Sequence, residues 1–550
     1  MVFLGQMGLL IIVLALVQWP LGNALAAAAT GARHTRVERA VYRVVGVNPE
    51  SQQSWKSYTT ALMAFSLAGL VLLMAILMLN GRLPFSQGTP GMPWHGAFNT
   101  AASFVTNTNW QWYSGESTLG YTAQAAGLAV QNFVSAAVGI AVAFALARAF
   151  AAHKADSIGN FWVDITRVTA RILVPIASAA AVILIGGGVI QNLDSSRVVT
   201  TLTGATQTIP GGPTATQEVI KQLGTNGGGF FNANASHPFE NPSAWTNLLS
   251  IALMLVIPFA LPRALGIILG SKRQGLAILA AMSSLFVIMT GLLTWAELAG
   301  RGVAPSLAGA AMEGKETRFG VATSALYAAA TTGTSTGSVN SMHDSFTAPG
   351  GLVAVSGMLL GEISPGGVGS GLYGMLIIAV LAVFLAGLMV GRTPELYGKK
   401  IGAKEMSLVA VYAVVVPSLV LGGTALTLGV RSLKDAAVTQ AGPHGITSVL
   451  YAYTSAANNN GSAFASFSAG GMWQNILLGI AMLGGRFICI LLVLALAGSL
   501  AAAARVPTGA GTLRSDTPLF TTMLVVLAPI VALVAYAPVL ALGPLGEALQ

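Results

Sequence analysis

Four short, uncharged stretches rich in hydroxyl, amide and glycine residues are the part of this chain best suited to handling an ion. They are Thr106-Asn107-Thr108-Asn109-Trp110-Gln111, Gly224-Thr225-Asn226-Gly227-Gly228-Gly229, Thr334-Ser335-Thr336-Gly337-Ser338 and Asn458-Asn459-Asn460-Gly461-Ser462. Anchors at Gln111, Gly227, Gly337 and Gly461 are spaced by 116, 110 and 124 residues. A cation stripped of water needs oxygen dipoles in place of its hydration shell. Backbone carbonyls on a glycine-permitted bend supply them without fixed charge, whereas other cation channels use rings of Asp or Glu.

In the third loop, Ser335 and Thr336 offer hydroxyls and carbonyls ahead of Gly337, and in the fourth Asn459 and Asn460 do the same with amides ahead of Gly461. In the second, Thr225 and Asn226 precede three glycines, so the backbone can approach an ion closely. The first loop, with Asn107, Thr108 and Asn109, departs from the pattern. Gln111 takes the place of glycine there, so its amide oxygen substitutes for a carbonyl ligand or crowds one, and the pore is only pseudo-fourfold.

The elements that position these loops are membrane helices. The chain is 54% hydrophobic and 8% charged, against about 25% charge in a soluble domain. Ten windows are long enough to cross a bilayer, at about 20 apolar residues each. They run over 3–25, 57–80, 127–147, 172–193, 244–262, 275–296, 371–391, 406–430, 474–500 and 517–542. The first lacks a basic n-region and exceeds a signal-peptide core in length, so it reads as a retained helix. Placing the N-terminus outside puts 18 Lys and Arg in inner segments and eight in outer ones, with Arg486 inside a window. That is the positive-inside bias, and it sets both termini and all four loops on the outer face. The net charge of +9 is dispersed over short loops and calls for no nucleic acid. Cys489, the lone cysteine, has no intramolecular partner.

Removing the outermost helices leaves four units of helix, loop and helix that all point the same way. Such parallel repeats can surround one axis along the membrane normal. The expected architecture is an all-α polytopic membrane protein with ten transmembrane helices: four pseudo-symmetric helix–pore loop–helix repeats around one pore, and one extra helix at each end. The divisions are 1–56 for the first helix and basic loop, repeats over 57–150, 169–268, 275–392 and 405–500, and 517–550 for the last helix and tail. Before each loop lies a segment sized for a half-helix, at 96–105, 215–223, 321–330 and 446–454. A half-helix at membrane depth is tolerated only where protein buries it or it lines water. Its carbonyl end, facing the loop, favours a cation.

Glu116, Glu240 and Asp344 follow their anchors by 5, 13 and 7 residues. They are read either as carboxylates at an outer mouth that concentrate cations or as solvated loop charges. Trp110, Trp112 and Tyr113 read as an aromatic belt or core packing. Ahead of the seventh window, Gly361-Glu362-Ile363-Ser364-Pro365-Gly366-Gly367 carries one carboxylate on a flexible stretch, so Glu362, Gly366 and Gly367 are gating candidates alongside an outer-loop reading. Arg486 sits inside the ninth window, where a charge is functional by default. It either pairs with Glu362 or stands as a positive barrier beneath the loops. Arg392, at the end of a helix, is a topology anchor or a partner contact.

The stretches Thr106–Glu116, Leu223–Pro242, Thr331–Gly351 and Thr454–Ser466 are similar to those of KdpA, the family of potassium-binding subunits of potassium-transporting ATPases, and the resemblance covers nearly the whole chain. It implies a component that binds K+ from outside and translocates it within an ATP-driven uptake complex of the bacterial cytoplasmic membrane. It implies three partners besides membrane lipid: a P-type ATPase subunit that hydrolyses ATP (the B component), a single-span C component and a very small F component. In that family the third position of each filter motif is glycine or its Gln substitute, which implies Gln111, Gly227, Gly337 and Gly461 here. The sequence agrees by omission, with no GxxxxGK[ST] phosphate loop, no DKTGT aspartate and no soluble nucleotide-binding insertion; the resemblance implies that ATP hydrolysis belongs to the partner and that K+ is the transported ion, with no organic cofactor.

The rival reading is a stand-alone K+ channel or cation symporter of the Trk/Ktr/HKT type, which shares the architecture. A membrane-embedded enzyme or scaffold has less behind it, because His34, His95, His153, His237, His343 and His444 are scattered without metal spacing.

Overall fold

The computed structural model describes residues 2–299, 311–391, 394–507 and 512–549. Among these, ten helices are long and apolar enough to cross a membrane: Phe3–Thr30, Trp55–Met78, Ala123–Ala151, Phe161–Gly186, Ala244–Ile268, Lys272–Leu298, Ser370–Met389, Ala403–Gly429, Met472–Ala502 and Pro518–Leu542. The chain is a multi-pass membrane protein. Among the described residues, strands are confined to two small hairpins, one pairing Arg197–Thr200 with the exposed Thr206–Ile209, the other pairing Glu395–Leu396 with Lys399–Lys400.

Burial divides the spans into inner and outer sets. The second helix of each unit is 83, 78, 61 and 56% buried along its most apolar window, the first helix only 22, 33, 50 and 11%. Every unit therefore turns one helix inward and offers the other to its surroundings. Spans one and ten, 33 and 22% buried, flank this assembly. The first packs along the fifth, with Leu21, Leu25, Ala26, Ala28 and Ala29 buried.

Four half-helices fill the space between inner helices: Trp94–Val105, Thr214–Leu223, Gly320–Gly333 and Pro443–Asn458. They lie buried nearly all round, which suits their Ala, Ser and Thr content, because small side chains let neighbouring backbones come close. Pro93 and Pro443 mark two of their starts, where a missing N–H costs nothing.

The fourth span and the 348–359 segment are among the elements that differ from the sequence reading. The fourth span starts at Phe161, eleven residues before its apolar window. Its charged first turns are accommodated by ion pairs: Asp164 with Arg148 at 2.5 Å and Arg171 with Glu38 at 2.5 Å. Residues 348–359, outside every expected helix, form one, Ala348–Leu359, opened by the Thr347 side chain accepting from the Gly350 N–H. Arg392 lies outside the described residues.

Candidate functional site

Each half-helix passes into its loop through the same turn. The residue after the turn has positive φ in all four: Asn107 at 66°, Thr225 at 44°, Ser335 at 58° and Asn459 at 63°. Two residues on, φ is positive again at Asn109 (54°), Gly227 (83°), Gly337 (80°) and Gly461 (104°). Backbone N–H groups then fold back one turn: Thr108 and Asn109 onto the Ser103 carbonyl, Asn226 and Gly227 onto Lys221, Thr336 onto Thr331 and Asn460 onto Ser455, all at 2.8–3.2 Å. The equivalences correct the first anchor. Asn109, not Gln111, stands in the glycine register, 118 residues before Gly227. Asn is one of the few side chains that enters the left-handed region readily, so no glycine marked the place.

The loops close into a ring in chain order. A Cβ on Gly227 would overlap the Thr336 carbonyl oxygen, one on Gly337 that of Asn460, and one on Gly461 that of Thr108. The fourth junction is made by side chains. Asn109 donates to the Gly227 carbonyl at 2.9 Å, and Asn107 donates to the Gly224 and Thr225 carbonyls at 3.1 and 2.9 Å. Ser335 repeats the Asn107 contact on the opposite side, donating to the Asn458 and Asn459 carbonyls at 3.0 and 2.9 Å. Asn459 returns to the first loop through Thr108 Oγ1 at 3.0 Å. One layer outward, Gln111 holds Gly229 by both peptide groups at 2.9 Å.

The ring faces a common vestibule of about 680 Å³, lined by Asn109, Gln111, Gly228, Gly337 and Gly461. Its charged lining residues are Lys315 and Glu316. Glu116, Glu240 and Asp344, the three carboxylates considered for an acidic mouth, are not among the lining residues. Glu116 caps the Asn232 N–H at 2.9 Å, Glu240 is buried, and Asp344 hydrogen-bonds His444 and Ser466. Trp110 is core, 1% exposed against Phe467, and Trp112 donates to the Gly96 carbonyl.

Beneath the ring runs the 361–369 segment, not an outer loop. Gly366 N–H donates to Gly333 at 2.7 Å and Val368 N–H to Thr225 Oγ1 at 2.9 Å, while Gly367 packs on Ser335. Glu362, 3% exposed, accepts from Asn460 at 2.8 Å. A second cavity of about 210 Å³ opens here, lined by Glu362, Asn458, Asn459, Tyr373 and Arg486. Arg486 is 4% exposed, and its Nη2 has no hydrogen-bond partner among the described residues. Glu362 and Arg486 line the same cavity without forming an ion pair, so the pairing alternative is not realised; Glu362 Oε1 accepts from the fourth loop, and its Oε2 has no hydrogen-bond partner among the described residues.

Sequence reasoning missed a buried triad behind the second loop. Lys221, whose carbonyl takes the Asn226 and Gly227 N–H groups, is fully buried and pairs with Glu218 at 2.5 Å and with Glu240. Glu240 also accepts the Phe231 N–H at 2.7 Å. The available signal was an i, i+3 Glu–Lys pair on a short segment already assigned to membrane depth, where charges pair or carry function.

At the vestibule, His343 is buried beside Lys315, and burial first, then that ammonium, pushes it down to about 3, so it is neutral. His444 sits between Asp344 and Glu547, 2.8 Å from each; hydrogen bonds to the two carboxylates raise it to about 10.

A sequence model of the potassium-transporting ATPase A subunit matches residues 8–549. The chain belongs to the KdpA family. Two relatives described as the potassium-transporting ATPase potassium-binding subunit span it almost end to end. The one from Clavibacter michiganensis subsp. michiganensis is 55% identical over 99% of this chain and 98% of its own length. The one from Cutibacterium acnes is 56% identical over 100% and 99%. Among solved structures, the potassium transporter TrkH from Vibrio parahaemolyticus superposes with a TM-score of 0.52 at 15% identity, covering 88% of this KdpA-family chain and 97% of TrkH. That likeness establishes a shared fold.

Proposed function

We propose that this chain takes K+ from the outer vestibule into a selectivity filter formed by the four-loop ring. It passes the ion to the cavity beneath as the translocating component of an ATP-driven potassium uptake complex. One observation carries the reading: three ring glycines each abut a carbonyl of the next loop, and Asn107 and Asn109 close the fourth junction. Such packing leaves room for backbone oxygen and for little else. The filter residues are Asn107, Thr108, Asn109, Thr225, Asn226, Gly227, Ser335, Thr336, Gly337, Asn459, Asn460 and Gly461, with Gln111 fixing the outer layer. Backbone carbonyls on such bends can replace an ion's hydration shell. The half-helix carbonyl ends add negative potential at the ring.

Glu362, Gly366, Gly367 and Arg486 form the inner gate, with the Arg486 guanidinium as the electrostatic barrier to free flow. ATP hydrolysis belongs to a P-type ATPase partner, accompanied by the single-span component and the very small one, in the cytoplasmic membrane with both termini of this chain outside. The names of the relatives support the potassium and ATPase parts of this reading. The test is reconstitution. The purified complex should show K+-stimulated ATP hydrolysis that Gly461→Asp weakens in K+ affinity, and the chain alone in liposomes should pass little K+. Robust flux through the chain alone, without partner or ATP, would replace this reading with a stand-alone channel.

A further inference from the structure

Between the first two spans, on the side of the molecule away from the ring, lies a ten-residue helix, Arg36–Val45. Thr35 and Glu38 form a capping box at its start, and Gly46 in the left-handed conformation stops it. At 3.6 residues per turn its side chains fall into three sectors. Glu38 and Tyr42, one turn apart, are buried against the protein at 0 and 2% exposure. Val37, Val41 and Val44 share an arc of about 60°. They are bare at 65, 38 and 87% exposure, and Val45 beside them is 45% exposed. Arg36, Arg39 and Arg43 share a third arc, also exposed.

The depth of this helix is fixed by its anchor. Glu38 accepts from Arg171 Nε at 2.5 Å and Nη2 at 2.6 Å. Arg171 is ten residues inside the fourth span and immediately precedes its uninterrupted apolar run. Arg171 and Arg167 also donate to the Arg33 carbonyl, at 2.7 and 3.4 Å, which ties down the lead-in to the helix. The valine arc is thus held where a spanning helix changes from charged to apolar surroundings, at the level of a bilayer interface.

We propose that Arg36–Val45 lies in the membrane plane, with Val37, Val41 and Val44 in the headgroup–acyl boundary of an anionic leaflet and Arg36, Arg39 and Arg43 reaching its headgroups. A short helix with one apolar and one basic sector binds in this way, and each basic residue near an anionic surface adds attraction. The ion pair to the fourth span docks the helix sideways, so lipid contact and protein contact use different sectors. The inference is independent of the ion-binding reading.

The experiment places a bimane label at Val44→Cys in the full-length chain in its complex, reconstituted in vesicles of phosphatidylcholine and phosphatidylglycerol. Cys489, the only cysteine of this chain, is buried, and the complex without an introduced cysteine gives the background signal to subtract. Brominated acyl chains should quench the label at Val44→Cys at least about twofold more than the label at Arg39→Cys, and aqueous iodide should show the reverse order. Val37→Cys, on the same arc, should behave as Val44→Cys and guards against a local disturbance. Iodide reaching the valine sites as readily as Arg39→Cys would overturn the proposal in favour of a water-exposed helix. Protection of those sites from both quenchers would overturn it in favour of a protein partner.

Discussion

The side-chain amide of Asn460 donates to the Glu362 carboxylate at 2.8 Å, joining the fourth loop of the ring to the segment that runs beneath it. The same amide also donates to the Thr331 carbonyl at 2.9 Å, so one residue couples the third half-helix, the fourth loop and the lower segment.

Removing the acceptor should therefore disturb the ring from below. Glu362→Ala leaves a buried amide donor short of a partner, at about 1–3 kcal/mol, and should weaken apparent K+ affinity roughly tenfold. Glu362→Gln keeps a carbonyl oxygen in place and should stay within about threefold of the native chain. K+ titration of ATP hydrolysis in the complex measures both. Equal losses would assign the effect to the charge and not to the hydrogen bond.

The ring glycines should tolerate no side chain. At φ of 80° and 104°, Gly337→Ala and Gly461→Ala combine a strained backbone with overlap on the Asn460 and Thr108 carbonyls. Strain of this kind is about 1–3 kcal/mol, so K+ affinity should fall roughly ten- to a hundredfold, with discrimination against Na+ and Rb+ relaxed. Unchanged affinity in both variants contradicts the filter assignment.

The corrected register makes a distinguishable claim about the first loop. Asn109 holds φ of 54°, so Asn109→Gly should bind K+ better than Asn109→Ala by about 1 kcal/mol, or roughly fivefold. A filter whose first anchor is Gln111 predicts no such order.

Lys221 is shared by two buried carboxylates, Glu218 and Glu240. Lys221→Met should destabilise the chain by about 3–5 kcal/mol, read as a lower thermal midpoint in detergent. The triple change with Glu218→Gln and Glu240→Gln should restore much of that loss, since breaking a buried ion group costs more than replacing it.

The His444 clasp gives stability a pH limit. Its folded pKa of about 10 exceeds the ordinary 6.5, so its contribution is complete below 6.5 and disappears as pH rises through about 10. Burial alone would raise the Asp344 carboxyl, but hydrogen bonds from His444 and Ser466 outweigh it and leave it lowered. Its contribution holds above the ordinary value of 3.8 and fades as pH falls through the lower folded value. Thermal midpoints should decline from pH 6.5 to 10, and His444→Ala should flatten that decline.

Local sequence determined the membrane class, the ten spans and the four half-helices that lead into the loops. Those features follow from apolar length, charge placement and the few residue types able to bend at a helix end, all of which are written along the chain. Tertiary structure alone decided the register of the first loop, because Asn109 adopts a glycine-like backbone only where Gly227 and Asn132 receive its side-chain amide. It also decided that Glu240 and Glu362 are buried rather than solvated, and that Glu362 meets Asn460 rather than Arg486. The burial of a charge depends on which distant segments pack over it. Glu240 lies 19 residues from Lys221, and Glu362 lies 98 from Asn460. No local pattern encodes contacts of that range, which arise only when four units close around one axis.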